Sequence, residues 1–308
     1  MTTANSTYLS LVPPPRPLER AEKTRIPAVD PRVYQIGSLS LLLIYGMSHL
    51  GFDIKVPQAA STIVTALATQ WLCSRLWRLP MFDPKSAMIS ALSLCLLFRS
   101  RSMALVILVT VITVASKFVL RWKGKHIFNP TNFGIVVMMI LFDGVWVSPG
   151  QWGNVAFFAF LIACAGGLVV NRAARSDVTY AFAFFYSALL IGRSLYLHEP
   201  LTIPFHRLES GALLLFTFFM ISDPRTTPSS RPGRILFAAL VAAGAAYIQL
   251  RLFRTNGLLW SLALFSMSVP LIDWLLPGDR YEWNSLKRPL NHPLSAFRST
   301  TNFVKEMS

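Results

Sequence analysis

Ser210–Pro224 reads SGALLLFTFFMISDP, and the length of its apolar part decides how the chain is read. That part runs from Ser210 to Ile221 and ends abruptly at Ser222-Asp223-Pro224. At about 1.5 Å per residue, a helix over it reaches ~18 Å, short of a hydrocarbon core ~30 Å thick. A matching truncated run, Ser86 to Phe98 (SAMISALSLCLLF), lies in the first half and stops at Arg99. Both runs open on Ser and a small residue. Both follow a Pro and a Phe, Pro80 and Phe82 in one case, Pro204-Phe205 in the other. Two stunted apolar segments at corresponding places in two halves point to a transporter-like site near the middle of a membrane.

The surrounding composition agrees with a bilayer. Of 308 residues, 53% are hydrophobic and only 14% charged, where a soluble domain carries about 25% charged. Mean hydropathy is +0.49. The net charge of +15, from 29 basic and 14 acidic residues, fits positive-inside loops facing anionic lipid; it does not call for nucleic acid. Cys73, Cys95 and Cys164 are far apart in apolar runs, with no CxxC pair and no zinc-spaced His. They read as inert buried thiols, with a shared cluster ligand as the alternative. No Walker A loop, GxGxxG, HExxH or Ser-His-Asp pattern is present.

Outward from the opening stretch, ten apolar segments can be marked, at 33–51, 57–77, 86–98, 103–121, 128–145, 154–171, 176–196, 210–221, 234–252 and 257–276. Each start in the second half follows its counterpart by roughly 120–130 residues, which suggests two five-segment repeats, 33–145 and 154–276. An odd number of crossings per repeat inverts the second copy. The expected fold is therefore all-α and integral to the membrane, with about ten transmembrane segments. Residues 1–32 and 278–308 read as polar tails. The Lys/Arg distribution places both tails in the cytoplasm, but leaves open whether 86–98 and 210–221 cross.

Three groups of residues carry chemical potential. In Lys125-His-Ile-Phe-Asn-Pro-Thr-Asn-Phe-Gly134, residues Asn129, Thr131 and Asn132 bring amide and hydroxyl groups to the start of an apolar segment. Either Asn129 is simply an N-cap with Pro130 at N1, or the capped helix end also faces an anionic or carbonyl-bearing ligand. In Ser222-Asp-Pro-Arg-Thr-Thr-Pro-Ser-Ser-Arg-Pro-Gly-Arg234, residues Thr226 and Thr227 stand beside Arg225. This is either a phosphate-holding loop or a solvated basic loop in which Asp223 pairs locally. Lys117, near the end of the fourth segment, is a functional suspect or a snorkelling side chain. Asp273 reads as a surface anchor. The pocket is expected between the two short segments, lined by Ser86, Ser90, Ser210 and Asn132.

Four stretches, KHIFNPTNFGIVV at 125–137, SGALLLFTFFMISDPRTTP at 210–228, RPGRILFAAL at 231–240 and SVPLID at 268–273, together resemble the NqrB/RnfD family, in that family's order. The resemblance spans roughly 35–277. It implies two inverted five-helix repeats on a urea-channel-like fold in the bacterial inner membrane. It also implies an electron-transfer or non-catalytic subunit of an ion-pumping, flavin-containing oxidoreductase complex, with redox partner subunits. Family members carry FMN on a Thr of an SGAT-type motif between segments five and six. Here that loop, Asp143 to Asn154, has no such motif, and Ser210-Gly211-Ala212 is followed by Leu213. The chain thus resembles a short RnfD-like or UnbU-like variant, and the flavin implied, FMN or riboflavin, is non-covalent. Its binding residues would come from Ser86, Ser90, Lys117, Asn129, Thr131, Asn132, Ser210, Asp223, Thr226 and Thr227. The alternatives are a channel or transporter on the same scaffold without redox chemistry, and a scaffold anchoring a soluble redox partner through its basic loops.

Overall fold

A computed structural model describes residues 30–49, 51–79, 81–148, 176–279 and 281. The expected segment at 154–171, Cys164 and nearly all of both tails lie outside these residues. Three helices start where the sequence supplies a cap followed by proline. Asp30 caps α1 (Pro31–Ser48) through Arg32 N, Asp83 caps α3 (Pro84–Leu97) through Lys85 N, and Asn129 caps α5 (Pro130–Leu141) through Asn132 N. Each side-chain oxygen takes an N–H that the first helical turn leaves without an intrahelical partner, and proline at N1 gives up none. Between them lie α2 (Val56–Leu76) and α4 (Met103–Val119). The second half contains α6 (Ser176–Tyr196), the short α7 (Thr202–Leu208) and α8 (Gly211–Leu215), which widens into a π-helical turn at Phe216–Met220. It continues with α9 (Arg231–Leu250), α10 (Gly257–Ser266) and α11 (Val269–Leu275).

Short strands tie the helix ends. β1 (Phe98–Ser100) pairs antiparallel with β4 (Val145–Val147). The basic stretch after α4 is a hairpin, β2 (Arg121–Trp122) against β3 (Lys125–His126). Its two turn residues, Lys123 and Gly124, both have positive φ, at 49° and 81°, as a tight hairpin following the strands' twist requires.

The packing order repeats in the two halves. α2 packs on α4 and α4 on α5; correspondingly α6 packs on α9 and α9 on α10. α3 fits between α1 and α2, and α5 meets α10 to join the halves. The core is continuous from Leu39 and Leu42 through Ile135 and Met138 to Phe182, Phe216, Phe237 and Val241. Outside it, Leu41, Val64, Ile140, Phe184 and Leu264 are exposed, an apolar flank of the kind lipid covers.

Ten spans were expected from the sequence. Among the described residues, α6 and α9 are long and apolar enough to cross a membrane, and α10–α11, bent by 51°, make a third if taken as one span. α3, α4, α5 and α8 with its π turn are apolar but shorter. The tenth segment is thus broken at Met267-Ser268, and the fifth is a helix of 12 residues. α3 links the end of α4 to the strand pair β1–β4. Its first turn meets Lys117 at the end of α4, while Leu97 O accepts from Ser148 N beside β4 at the far end.

Candidate functional site

The Lys117 end of the bundle gathers most of the residues singled out from the sequence. A cavity of about 80 Å³ is lined there by Ser86 and Ser90 of α3, Lys117 of α4, His126, Asn129 and Thr131 around the start of α5, Met220 at the end of the π turn, and Ser222 to Arg225 after it. Arg32 and Asp83 complete its wall. The site therefore lies where α1, α3 and α5 begin and where α4 and α8 finish. It is at an end of the bundle and not between the middles of the two short segments.

Lys117 does not snorkel. It is 4% exposed, and its Nζ donates to Ser86 O at 2.7 Å and Ser86 Oγ at 3.1 Å. None of the ion pairs among the described residues includes it. Arg32 is bound to Asp30 and Asp83, and Lys85 to Asp30 at 2.9 Å. Burial raises the Asp30 carboxyl, but hydrogen bonds from Arg32 and Lys85 outweigh it and bring it down to about 2. His126 lies in the hairpin. Burial first, then the positive charges of Arg225, Arg121 and Lys117, push its imidazole down to about 3.

Asn129 is both a cap and a tie. Its Oδ1 accepts from Asn132 N at 3.1 Å, while its Nδ2 donates to Met220 O at 3.2 Å. Thr131 is buried and faces the cavity. Four residues of the sequence-derived set fall elsewhere. Asn132 is fully buried, with Nδ2 on Leu259 O at 3.1 Å, so it joins α5 to α10. Ser210 stands at the opposite end of its stretch from Asp223, before α8. Thr226 and Thr227 are buried in the loop, where Thr226 Oγ1 donates to Asp223 O. That loop is not simply solvated: Arg234 binds Ser229 O and forks onto Asp177. Nor is Asp273 a surface anchor, because it accepts from Lys125 Nζ and Ser229 N, both at 2.7 Å.

Sequence reasoning missed a second cavity at the other end. It measures about 640 Å³ and is lined by Met139, Phe142, Asp143 and Trp146, with Arg254, Asn256 and Trp260 opposite. Asn256 has φ +59° and donates Nδ2 to Met139 Sδ at 3.5 Å. The Asn256-Gly257 pair before an apolar run was the available signal. The volume and the aromatic wall with few polar groups suit an organic ring system; the Lys117 cavity is too small to enclose one. Among the described residues no cluster of His, Cys, Asp or Glu suits a metal ion, and Cys73 and Cys95 are free and buried.

Residues 143–281 match the model of the NQR2, RnfD, RnfE family. A subunit of the ion-translocating oxidoreductase complex of Escherichia coli O9:H4 (strain HS) is 31% identical over 139 residues, which is 44% of this chain and 37% of that protein. The corresponding protein of Klebsiella pneumoniae (strain 342) is 31% identical over 144 residues, 45% of this chain and 39% of that protein. The chain thus covers under two-fifths of the length of these curated relatives. The match begins at Asp143, so it contains the 210–228, 231–240 and 268–273 stretches but not 125–137. Over residues 143–281, the chain is thus similar to the NQR2, RnfD, RnfE family.

Proposed function

We propose that the chain is a membrane subunit of an electron-transport assembly of the ion-translocating oxidoreductase type, working with other redox subunits. The observation that carries this is the 31% identity across 139 residues to a subunit of the Escherichia coli ion-translocating complex. Its scaffold is two inverted five-helix repeats, urea-channel-like, a reading supported by the shared packing order of α2–α4–α5 and α6–α9–α10. FMN or riboflavin is held without a covalent bond in the 640 Å³ cavity, with Phe142, Trp146 and Trp260 offering ring faces and Arg254 and Asn256 polar contacts. A bound flavin supplies electron transfer; the protein supplies an aromatic wall and orientation. Ion coupling belongs to the assembly, and the Lys117 end is its polar counterpart across the bundle.

The test is a visible spectrum of the chain purified in mild detergent, before and after reconstitution with FMN or riboflavin. Flavin absorbance that is released by denaturation and lost in Trp260→Ala is expected. A protein that stays colourless after reconstitution overturns the flavin assignment, and solute or Na⁺ flux through it in liposomes would then select a channel.

A further inference from the structure

We propose that the Lys117 cavity is a binding site for a phosphate group. Two donors, the Lys117 ammonium and the Thr131 hydroxyl, converge there, with His126 beside them. A lysine ammonium has three donors, and only two interactions, both to Ser86, are made by Lys117 Nζ. His126, 7% exposed, leaves its buried Nδ1 unbonded. Thr131, 4% exposed, lines the same cavity with its hydroxyl. Leaving an ammonium buried with a donor unspent is costly, and it and the Thr131 hydroxyl suit an oxyanion, to which both can donate; neutral His126, whose other ring N–H is given to the Lys117 backbone carbonyl, borders the site without donating to it.

The electrostatics agree. Lys117 hydrogen-bonds only to neutral Ser86 atoms, although the Asp223 and Asp83 carboxylates act on its charge from the cavity wall, and Arg225 stands exposed at the rim. Of the two carboxylates on the wall, Asp83 is engaged by Arg32 and by its capping bond to Lys85 N, and Asp223 accepts from Arg225 N. The first turns of α3 and α5, each longer than eight residues, add the positive ends of their dipoles. At about 80 Å³ the cavity takes a tetrahedral oxyanion and excludes anything much larger. This assignment stands on the cavity's own groups and is independent of the flavin at the opposite end.

The phosphate could be free or belong to an anionic lipid, since the cavity opens at an end of an apolar bundle. The experiment uses the full chain in a neutral, phosphate-free detergent. Thermal unfolding is followed against inorganic phosphate, with chloride at matched ionic strength as control, and separately against short-chain phosphatidylglycerol and phosphatidylcholine. A saturable rise with inorganic phosphate assigns a free anion; a rise with phosphatidylglycerol alone assigns a lipid phosphate. In either case Thr131→Val, which keeps the shape of the side chain, raises the half-saturating concentration about tenfold. Lys117→Met raises it further. If neither phosphate source has an effect beyond chloride or phosphatidylcholine, the cavity holds water and the proposal is wrong. It is equally wrong if Thr131→Val and Lys117→Met, both folded, respond as the wild type does.

Discussion

Asn129 and Met220 are 91 positions apart in sequence, yet the Asn129 amide nitrogen donates to the Met220 carbonyl at 3.2 Å. The same side chain caps α5 through its oxygen. One amide thus fixes the start of α5 against the end of the π-helical turn, where the backbone carbonyls are spaced too widely for regular α-helical bonding.

Asn129→Ala removes both bonds and leaves a buried carbonyl and a buried N–H unmet. Thermal unfolding in detergent should show a loss of about 2–4 kcal/mol. Asn129→Asp keeps the cap oxygen but sets a carboxylate against the Met220 carbonyl, and should recover little of that loss.

Gly134 faces Thr113, and a Cβ added at Gly134 would overlap the Thr113 hydroxyl. Gly134→Ala should lower stability by about 1–3 kcal/mol through overpacking between α4 and α5. Thr113 Oγ1 has no partner among the described residues, so Thr113→Ala alone should be mild. The double variant should be more stable than Gly134→Ala, and a double-mutant cycle measures the coupling.

Asp177 and Arg234 form a buried fork between α6 and α9, with Nε at 2.9 and 2.8 Å from the two carboxylate oxygens and side chains 15% and 10% exposed. Removing one partner strands the other, so Asp177→Asn should cost about 3–5 kcal/mol. Arg234→Lys should not restore it, because an ammonium cannot make the paired bonds. Chemical unfolding of the purified variants checks both.

Acid should destabilise the fold in two stages. His126, at about 3 when folded against an ordinary 6.5, takes up its proton more readily once unfolded. Stability is therefore lost as pH falls below about 6.5 and continues to fall towards 3. Asp30, at about 2 against 3.8, contributes stability above 3.8 that is lost as pH drops through 3.8 towards 2. The unfolding temperature measured from pH 8 to 3 should decline first across the histidine range, and His126→Phe should flatten that first stage while leaving the second.

The start of α5 was read from Asn129-Pro130, whereas α1 and α3 begin two residues before the expected 33 and 86, at cap-proline pairs with the same local cause. Asp30-Pro31, Asp83-Pro84 and Asn129-Pro130 each join a capping side chain to a residue that needs no N–H partner, and all three begin helices. The shortness of α3 and of the 211–220 stretch was legible for the same reason. The hairpin at 121–126 was not, because its strands have two residues each and carry no alternating pattern. Ser210 was misplaced because symmetry between the two short runs suggested that their first residues meet. In fact the first turn of α3 shares its cavity with the last turn of the other run.

By itself, the sequence determined the membrane class, the start of α5 at Asn129-Pro130, and the family stretches at 210–228, 231–240 and 268–273. Each of these depends on residues close together in the chain. Only the tertiary structure decided that Lys117 turns inward to Ser86, that Asp273 holds Lys125, and that a cavity opens between Trp146 and Trp260. Those outcomes depend on which buried polar group finds its partner across tens of residues, and no local pattern records that choice.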